Sequence, residues 1–322
     1  MVQNVSRKNI NEFVFTGFDT IEKPVAVGIV ILTVYILAML ANLANICFIV
    51  IDKRLHQPMY VFICNLAIAD MLYCTCSCPT MIGILIVGYK TISYVPCILQ
   101  MYGFGLGFVM EVFTISVMAF DRLIAIIKPL RYHSILTNVH SVILTFLLWI
   151  LVSAAIAIVP GTVVPLPLCS STIKYVFCDY AAVVRATCVD PNPYFDLISS
   201  FTSFLMFGTF SFICLSYLKI VIVVVKMTSI GSKKKVFDTC LSHLVVIICY
   251  YGPTFILAVL TRLGVVPLQE LELHVLSLEE RNGLRVGTIL GPSLVNPFIY
   301  CFRTKEIRNK ILRIVSKVEP TE

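Results

Sequence analysis

The sequence predicts an all-α fold, a bundle of seven helices that cross a membrane. The first observation that supports this prediction is the composition. The 322 residues are 58% hydrophobic and only 13% charged, which is about half the charged fraction of an ordinary soluble domain. Hydropathy patterning is the second, because the apolar residues gather into seven runs, each long enough for the roughly 20 residues that a membrane helix needs. This composition excludes a disordered chain, a disulfide-stapled secreted module and a nucleic-acid-binding protein.

Each run is bounded by charged residues, proline or glycine. None shows the sustained alternation of apolar and polar residues that a transmembrane barrel strand requires. A helix satisfies its own backbone hydrogen bonds in lipid, so we expect every run to be helical. The runs are Pro24–Ile51, Met59–Val87, Cys97–Ile127, Ser141–Pro165, Leu197–Val225, Val236–Leu260 and Leu284–Phe302.

The positive charges predict the orientation. Fifteen basic and six acidic residues lie at one face, around the connections after the first, third and fifth runs and in the tail. The opposite face holds nine basic and ten acidic residues. Because cytoplasmic connections collect Lys and Arg, we expect the N-terminus outside and the C-terminus in the cytoplasm. The chain then divides into an extracellular segment (1–23), a membrane domain (24–302) and a cytoplasmic tail (303–322).

The N-terminal segment has no apolar core of the kind that forms a signal peptide, so we expect the first helix to act as an uncleaved signal-anchor. Asn4-Val5-Ser6 is an N-glycosylation acceptor on the side predicted to be extracellular. The orientation therefore predicts a glycan at Asn4.

Four of the thirteen cysteines lie at the predicted outer face. An even number on the oxidising side predicts two disulfide bonds, and four cysteines allow three pairings. A zinc site is the competing interpretation, but the spacing matches no usual zinc motif. The four are Cys97, Cys169, Cys178 and Cys188.

Two carboxyl groups lie inside the predicted membrane helices, Asp70 in the second and Glu111 in the third. A carboxylate at the centre of a bilayer costs roughly 2.5–3.5 kcal/mol, so both residues need an explanation. Asn42 and Asn296 are also placed to face inward. One interpretation is a hydrogen-bonded network with water, and the other is a cation site for Na⁺. The two interpretations overlap.

Two further features favour a bundle that switches between packings. Pro297 removes a backbone hydrogen bond and should kink the seventh helix, and Pro253 should do the same in the sixth. Asp121-Arg122 stands at the cytoplasmic end of the third helix. The pair is either a plain interfacial ion pair or a latch that frees Arg122 to meet a cytoplasmic partner.

Four motifs together resemble those of the odorant receptors, a branch of the rhodopsin-like (class A) G-protein-coupled receptors. The four motifs occur in the family's order and at the family's spacing, and the resemblance covers essentially the whole chain. Ala41, Phe120, Asp238 and Thr304 depart mildly from the family pattern, and Asp238 adds negative charge beside the basic run Lys233–Lys235. The motifs are LHQPMYVFICNLAIADMLY (Leu55–Tyr73), MAFDRLIAIIKPLRY (Met118–Tyr132), KVFDTCLSHL (Lys235–Leu244) and PSLVNPFIYCFRTKEI (Pro292–Ile307).

The resemblance implies a receptor of the plasma membrane, expected in sensory neurons, that binds a small odorant and activates a heterotrimeric G protein of the cAMP-raising type. It implies disulfide bonds Cys97–Cys178 and Cys169–Cys188, and it places Asp70 and Glu111 at a sodium-type site. A short amphipathic helix would follow from Arg303 to Arg313. The implied coupling residues are Asp121, Arg122, Tyr217, Lys235, His243, Asn296, Pro297 and Tyr300.

By analogy, the ligand site lies between the outer halves of the third, fifth, sixth and seventh helices. Its candidate residues are mostly apolar, which suits a small, weakly polar ligand held by dispersion and shape. They are Met101, Phe104, Gly105, Phe108, Val109, Val112, Phe201, Leu205, Met206, Tyr251, Thr254, Phe255 and Ala258.

Other functions fit the sequence less well. A transporter often has internal repeats and paired broken helices, and a channel needs rings of charge or carbonyl groups. Neither pattern is visible in the sequence. The five histidines form no catalytic set, so we expect neither an enzyme nor a resident cofactor beyond an allosteric Na⁺. A class A receptor for a non-olfactory small ligand is the nearest alternative.

Overall fold

The computed structural model describes residues 10–263 and 278–303. Asn4 and the tail beyond Arg303, including its predicted amphipathic helix, lie outside the described residues. Within them the chain is largely helical, as predicted. Five helical segments are long and apolar enough to cross a membrane: Pro24–Ile51, Pro58–Val87, Tyr94–Ile127, Asn138–Val163 and Asn192–Lys226.

Each predicted run coincides with a helix or a broken pair of helices. The long helices are α1 (Pro24–Ile51), α2 (Pro58–Thr75), α4 (Tyr94–Ile127), α6 (Asn138–Ile156), α9 (Asn192–Lys226), α10 (Ile230–Leu263) and α11 (Leu278–Arg303). Short helices lie between them: α3 (Cys78–Ile82), α5 (Tyr132–Ile135), α7 (Ile158–Val163) and α8 (Tyr180–Val184).

The second predicted run is broken, which the hydropathy pattern did not predict. Helix α2 ends at Thr75 and α3 begins at Cys78. Pro79 has no N–H to donate to the carbonyl of Thr75, so the helix cannot continue unchanged through this point. The Ser77 hydroxyl donates to the carbonyls of Tyr73 (3.1 Å) and Cys74 (3.3 Å) and so satisfies acceptors near the break.

A small β-sheet, which the sequence did not predict, lies beside the helices. Strands β1 (Glu12–Phe15), β2 (Thr91–Ser93) and β3 (Thr172–Ile173) form a sheet in the order β2-β1-β3. Strand β1 pairs antiparallel with β2 and parallel with β3. Phe13 and Phe15 on β1 are fully buried. The segment before α1 is therefore built into the fold from Glu12 onward.

Two disulfide bonds hold the long connection between α7 and α9, residues 164–191, which we call the disulfide loop. Cys97 at the start of α4 bonds Cys178, and Cys169 bonds Cys188. This is the pairing that the family resemblance implies. The bonds define a disulfide end of the bundle, which also carries the sheet, and an opposite Asp-Arg end, where α4 carries Asp121 and Arg122.

Helix α4 occupies the centre of the bundle. Within its apolar membrane-spanning stretch, 67% of the residues are buried, against 61% in the segment that begins with α2, Pro58–Val87, and 11% in Asn138–Val163. The peripheral helices instead expose large apolar side chains, among them Leu40, Phe146 and Phe204. Apolar surface on this scale suits contact with lipid rather than with water. Residues that face the interior of the bundle therefore come largely from α2 and α4.

Substitution of Gly17 tests how tightly the N-terminal segment packs against the disulfide loop. A Cβ atom at Gly17 would lie 2.5 Å from the carbonyl carbon and oxygen of Tyr175, which are backbone atoms that cannot turn away. We expect Gly17→Ala to destabilise the protein by about 1–3 kcal/mol, as overpacking does, in thermal unfolding of the detergent-solubilised protein.

Gly208→Ala is the matched control for this substitution. Among the described residues, nothing lies within 4 Å of the place that a Cβ atom at Gly208 would take. A methyl group can therefore be added there without a clash, and the stability should not fall. Equal stability of the two variants would contradict the docking of the N-terminal segment.

Candidate functional site

A polar cluster lies within the bundle, where α2, α4 and α11 meet. Asp70 and Glu111 are 0% and 1% exposed. The Asn296 amide donates to both carboxyl oxygens of Asp70, at 3.3 and 3.1 Å. The structure therefore brings together Asp70, Glu111 and Asn296, which lie far apart in the sequence.

This cluster has more acceptors than donors. Both carboxyl oxygens of Glu111 and the amide oxygen of Asn296 are buried without a hydrogen-bond partner among the described residues. Unsatisfied acceptors at this depth are costly and are normally met by water or a cation. The described residues contain no group of three His, Cys, Asp or Glu side chains that could hold a metal ion. A cation here would therefore need neutral oxygens as well as carboxylates, which Na⁺ accepts.

Asn42 supplies a donor that Pro297 cannot. In an uninterrupted helix the N–H of residue 297 would serve the Ser293 carbonyl, and proline has no N–H. The Asn42 amide donates to that carbonyl at 2.9 Å, and also to the carbonyl of Ala38 at 3.0 Å. The proline in α11 is thus accommodated by a side chain from α1.

The Asp-Arg end holds a closed hydrogen-bonded group. Arg122 donates to the Asp121 carboxylate through Nη2 (2.6 Å) and Nε (3.0 Å), and Nη2 also contacts the Met59 sulfur. The Tyr132 hydroxyl donates to the other Asp121 oxygen at 2.7 Å. Burial and the neighbouring Asp121 charge raise the pKa of Tyr132 above its ordinary value, so the phenol remains a donor. In this conformation Arg122 is engaged with its neighbours.

Other implied coupling residues lie near this group. The Tyr217 hydroxyl and His243 Nδ1 are 2.9 Å apart, and His243 Nε2 lies 3.1 Å from the Ile115 carbonyl. The Tyr300 hydroxyl donates to the Met118 sulfur at 3.7 Å. These contacts join α9, α10 and α11 to α4. The Lys235 side chain lies outside the described residues.

The candidate ligand residues differ in how deeply they lie. Phe201 is 38% exposed, and the Ala258 side chain lies outside the described residues. Gly105 faces α6, since a Cβ there would lie 3.4 Å from Ile156. The other members are at least partly buried: Met101, Val109, Val112, Leu205, Met206 and Tyr251 are buried, and Phe104, Phe108, Thr254 and Phe255 are partly buried.

Aromatic rings connect many of these residues. Phe104 stacks on Tyr73 with ring centroids 4.6 Å apart, and Phe108 on Tyr250 at 6.1 Å. Phe255 meets Phe210 edge to face at 5.4 Å. Polar groups within the set are engaged, because Tyr251 donates to Thr209 at 2.8 Å and Thr254 to the Tyr250 carbonyl at 2.8 Å. The set offers aromatic surface with few available polar groups.

Sequence reasoning missed three residues that the structure places at these sites. Tyr132 completes the hydrogen-bonded group around Asp121 and Arg122. Its position at the end of the motif Met118–Tyr132 was the feature of the sequence that could have identified it. Arg285 on α11 forms an ion pair with Asp179 in the disulfide loop. A charge inside the predicted run Leu284–Phe302 was the available signal for Arg285, and Asp179 directly follows a disulfide-bonded cysteine.

Comparison with known proteins gives a consistent result. A family model described as "Olfactory receptor" matches residues 31–318. The chain is 32% identical to olfactory receptor-like protein OLF3 of Canis lupus familiaris, over 96% of this chain and 95% of the relative. It is 31% identical to human olfactory receptor 2AT4, over 89% and 87% of the two chains. It is 32% identical to human olfactory receptor 11H6, over 97% and 92%.

The role of Asn42 can be tested with a double-mutant cycle. Asn42→Ala leaves the Ser293 carbonyl without its donor, and we expect a loss of about 1–3 kcal/mol in unfolding free energy. In a Pro297→Ala background the new backbone N–H serves the same carbonyl, so the loss should shrink. Thermal unfolding in detergent measures both.

Asn45→Ala is the control for this cycle. The Asn45 amide donates to the Pro297 carbonyl at 3.3 Å, and that carbonyl persists in Pro297→Ala. The cost of Asn45→Ala should therefore be the same in both backgrounds. Additive losses for Asn42→Ala and Pro297→Ala would show that the amide does not substitute for the missing N–H.

Proposed function

Because the chain belongs to the olfactory receptor family, we propose that it binds a small odorant and activates a heterotrimeric G protein. It is a multi-pass protein of the plasma membrane and a receptor rather than an enzyme. The family match over most of the chain carries the proposal, and the closed group around Arg122 supports it. We further propose a cAMP-raising G protein and expression in the membrane of sensory neurons.

The proposed topology has seven membrane helices, which are the five apolar segments together with α10 and α11. The disulfide end then faces the extracellular side, where disulfide bonds persist. The Asp-Arg end faces the cytoplasm, in agreement with the excess of Lys and Arg in its connections. This topology gives the three proposed segments 1–23, 24–302 and 303–322, with Asn4 as the glycosylation site.

The proposed ligand site uses the aromatic surface at the disulfide half of the bundle. Phe104 and Phe108 on α4 lie one helical turn apart, and Phe255 on α10 lies against Tyr251. Packed rings of this kind bind small apolar molecules by shape and dispersion. The remaining proposed ligand residues are the other members of the candidate set.

Activation is proposed to release Arg122 from its partners. A ligand shifts the population only if it binds the active packing more tightly than the inactive one. Asp121, which also accepts from Tyr132, holds Arg122 within the bundle. Tyr217, His243 and Tyr300 hold the surrounding helices. When these contacts rearrange, Arg122 becomes available to the G protein. Lys235, Asn296 and Pro297 complete the proposed coupling set.

A functional assay tests the proposal directly. We expect cells that display the protein to raise cAMP in response to at least one member of a panel of volatile and water-soluble odorants. Arg122→Ala should reduce the maximal response to the level of untransfected cells at equal surface expression. Arg185→Ala is the matched control, because it removes an exposed arginine at the disulfide end.

Three outcomes of this assay are informative. An intact response in Arg122→Ala would contradict the coupling role of Arg122. Silence of the wild type across the whole panel, with surface protein confirmed, would contradict the odorant function. A response to a non-odorant small ligand alone would favour the alternative, a non-olfactory class A receptor.

We propose Na⁺ as an allosteric ligand at Asp70 and Glu111, supported by the unsatisfied oxygens of Glu111 and Asn296. In purified protein, NaCl should then raise the unfolding free energy relative to choline chloride at equal ionic strength. At Na⁺ about tenfold above its Kd, the increment is about 1.4 kcal/mol.

Glu111→Gln and Asp70→Asn should each remove the Na⁺-specific increment, and KCl serves as the control for cation size. Under the alternative of a water-filled hydrogen-bonded network, NaCl and choline chloride would give equal stability in all variants.

A further inference from the structure

The ion pair between Arg285 and Asp179 is not used by the proposed coupling machinery. It joins α11 to the disulfide loop, and the two side chains are 29% and 5% exposed. The guanidinium carbon lies 5.4 Å from the ring centroid of Phe177 and 6.0 Å from that of Phe104. A cation thus lies against two aromatic rings that contact each other at the disulfide end of the bundle, and part of it is accessible.

Asp179 fixes the position of this cation. One Asp179 oxygen pairs with Arg285, and the other accepts from the Ala182 N–H at 2.7 Å, which caps α8. The preceding residue, Cys178, is bonded to Cys97, and its N–H donates to Gln100 at 2.8 Å. The contacts of Cys178 therefore hold the adjacent Asp179 carboxylate beside α4. This carboxylate orients the Arg285 guanidinium before any ligand binds.

Arg285 retains hydrogen-bonding capacity after this pairing. A guanidinium carries five N–H donors in a planar fork. Within the described part of the chain, Asp179 is its only ion-pair partner. The donors that do not point at Asp179 can therefore bind an oxygen atom of a ligand.

The cation lies beside the proposed ligand site. Phe104 is one of the candidate ligand residues, and its ring contacts Phe177 with centroids 4.7 Å apart. A molecule that packs on Phe104 comes within reach of Arg285. The rest of the candidate set is apolar or has its polar groups engaged, so Arg285 is the polar group best placed to fix the ligand's orientation.

We propose that Arg285 anchors the ligand and that the ligand is a small apolar molecule with one neutral carbonyl oxygen, an inference that rests on the proposed function. Asp179 already balances the charge of Arg285. A neutral carbonyl accepts a hydrogen bond from the guanidinium without adding charge, whereas a carboxylate brings a second negative charge beside the buried Asp179 carboxylate. The ion pair therefore selects ketones, aldehydes or esters over acids of the same skeleton.

Matched ligands test the anchor. The probes are a hydrocarbon, a ketone and a carboxylic acid on each of several linear, cyclic and aromatic skeletons, scored by cAMP potency at equal surface expression. In the wild type we expect the ketone to be the most potent member of a responding series. Arg285→Gln should weaken the ketone by about tenfold to a hundredfold, the range for hydrogen bonds to charged groups, and leave the hydrocarbon unchanged. Arg185→Gln is the control, since Arg185 lies over the rings of Phe195 and Tyr175 and away from Phe104.

Asp179→Asn provides a gain-of-function test. Asparagine keeps an oxygen that can accept from the Ala182 N–H but removes the charge, so we expect the acid to gain about tenfold relative to the ketone, the size of one charge-assisted hydrogen bond. A misfolded protein cannot produce this gain. Arg285→Lys, which keeps the ion pair but loses the planar fork, should show an intermediate ketone preference and replaces Arg285→Gln if that variant does not reach the surface.

Two results would overturn the anchor while sparing the proposed function. Equal losses for ketone and hydrocarbon in Arg285→Gln would show that the ion pair only tethers the loop. An unchanged response to the acid in Asp179→Asn would contradict the selection of ketones over acids by the ion pair. A wild-type protein that is present at the surface and silent to every probe would instead contradict the proposed function, and the anchor with it.

Discussion

Polar groups carried into a membrane must find their partners inside the protein, and this requirement organises the bundle. The Asn65 side chain accepts from Trp149 at 2.8 Å and donates to Thr114 at 2.7 Å, so it joins α2, α6 and α4. His243 similarly contacts Tyr217 on α9 and the Ile115 carbonyl on α4. Each contact constrains the rotation of the helices that it joins. The buried polar residues therefore specify which faces meet, which apolar packing alone would leave less defined.

The requirement is unmet at one place among the described residues. In that part of the chain, Glu111 and Asn296 hold the only buried side-chain polar atoms without a hydrogen-bond partner. They come from α4 and α11, and Asp70 beside them comes from α2. Any water or cation that satisfies these oxygens joins α4 to α11, and it does so beside Asp70 on α2. Its binding free energy then depends on how the three helices pack, which is the property that an allosteric ligand needs.

Local and non-local features differed in how well the sequence predicted them. Hydropathy located the helices because the length of an apolar run is a local property. The sheet was missed because β1 is only four residues long and pairs with strands much farther along the chain. Helix rotation is set by packing, so a candidate ligand set chosen by analogy mixed buried Val112 with exposed Phe201. Arg285 was overlooked for the same reason, since its partner Asp179 belongs to a loop whose path depends on the disulfide bonds.

Helix α4 connects the two ends of the bundle. It carries Phe104 at the proposed ligand site, Glu111 in the polar cluster and Arg122 at the Asp-Arg end, without a break. Phe104 and Arg122 are separated by about 27 Å along the axis at about 1.5 Å per residue. Helix α2 by contrast ends at Thr75, before α3 begins at Cys78, so it does not span the bundle as one uninterrupted helix. A displacement of α4 by a ligand therefore changes the surroundings of Glu111 and Arg122 together, and the disulfide bond from Cys97 ties that displacement to the loop that holds Asp179.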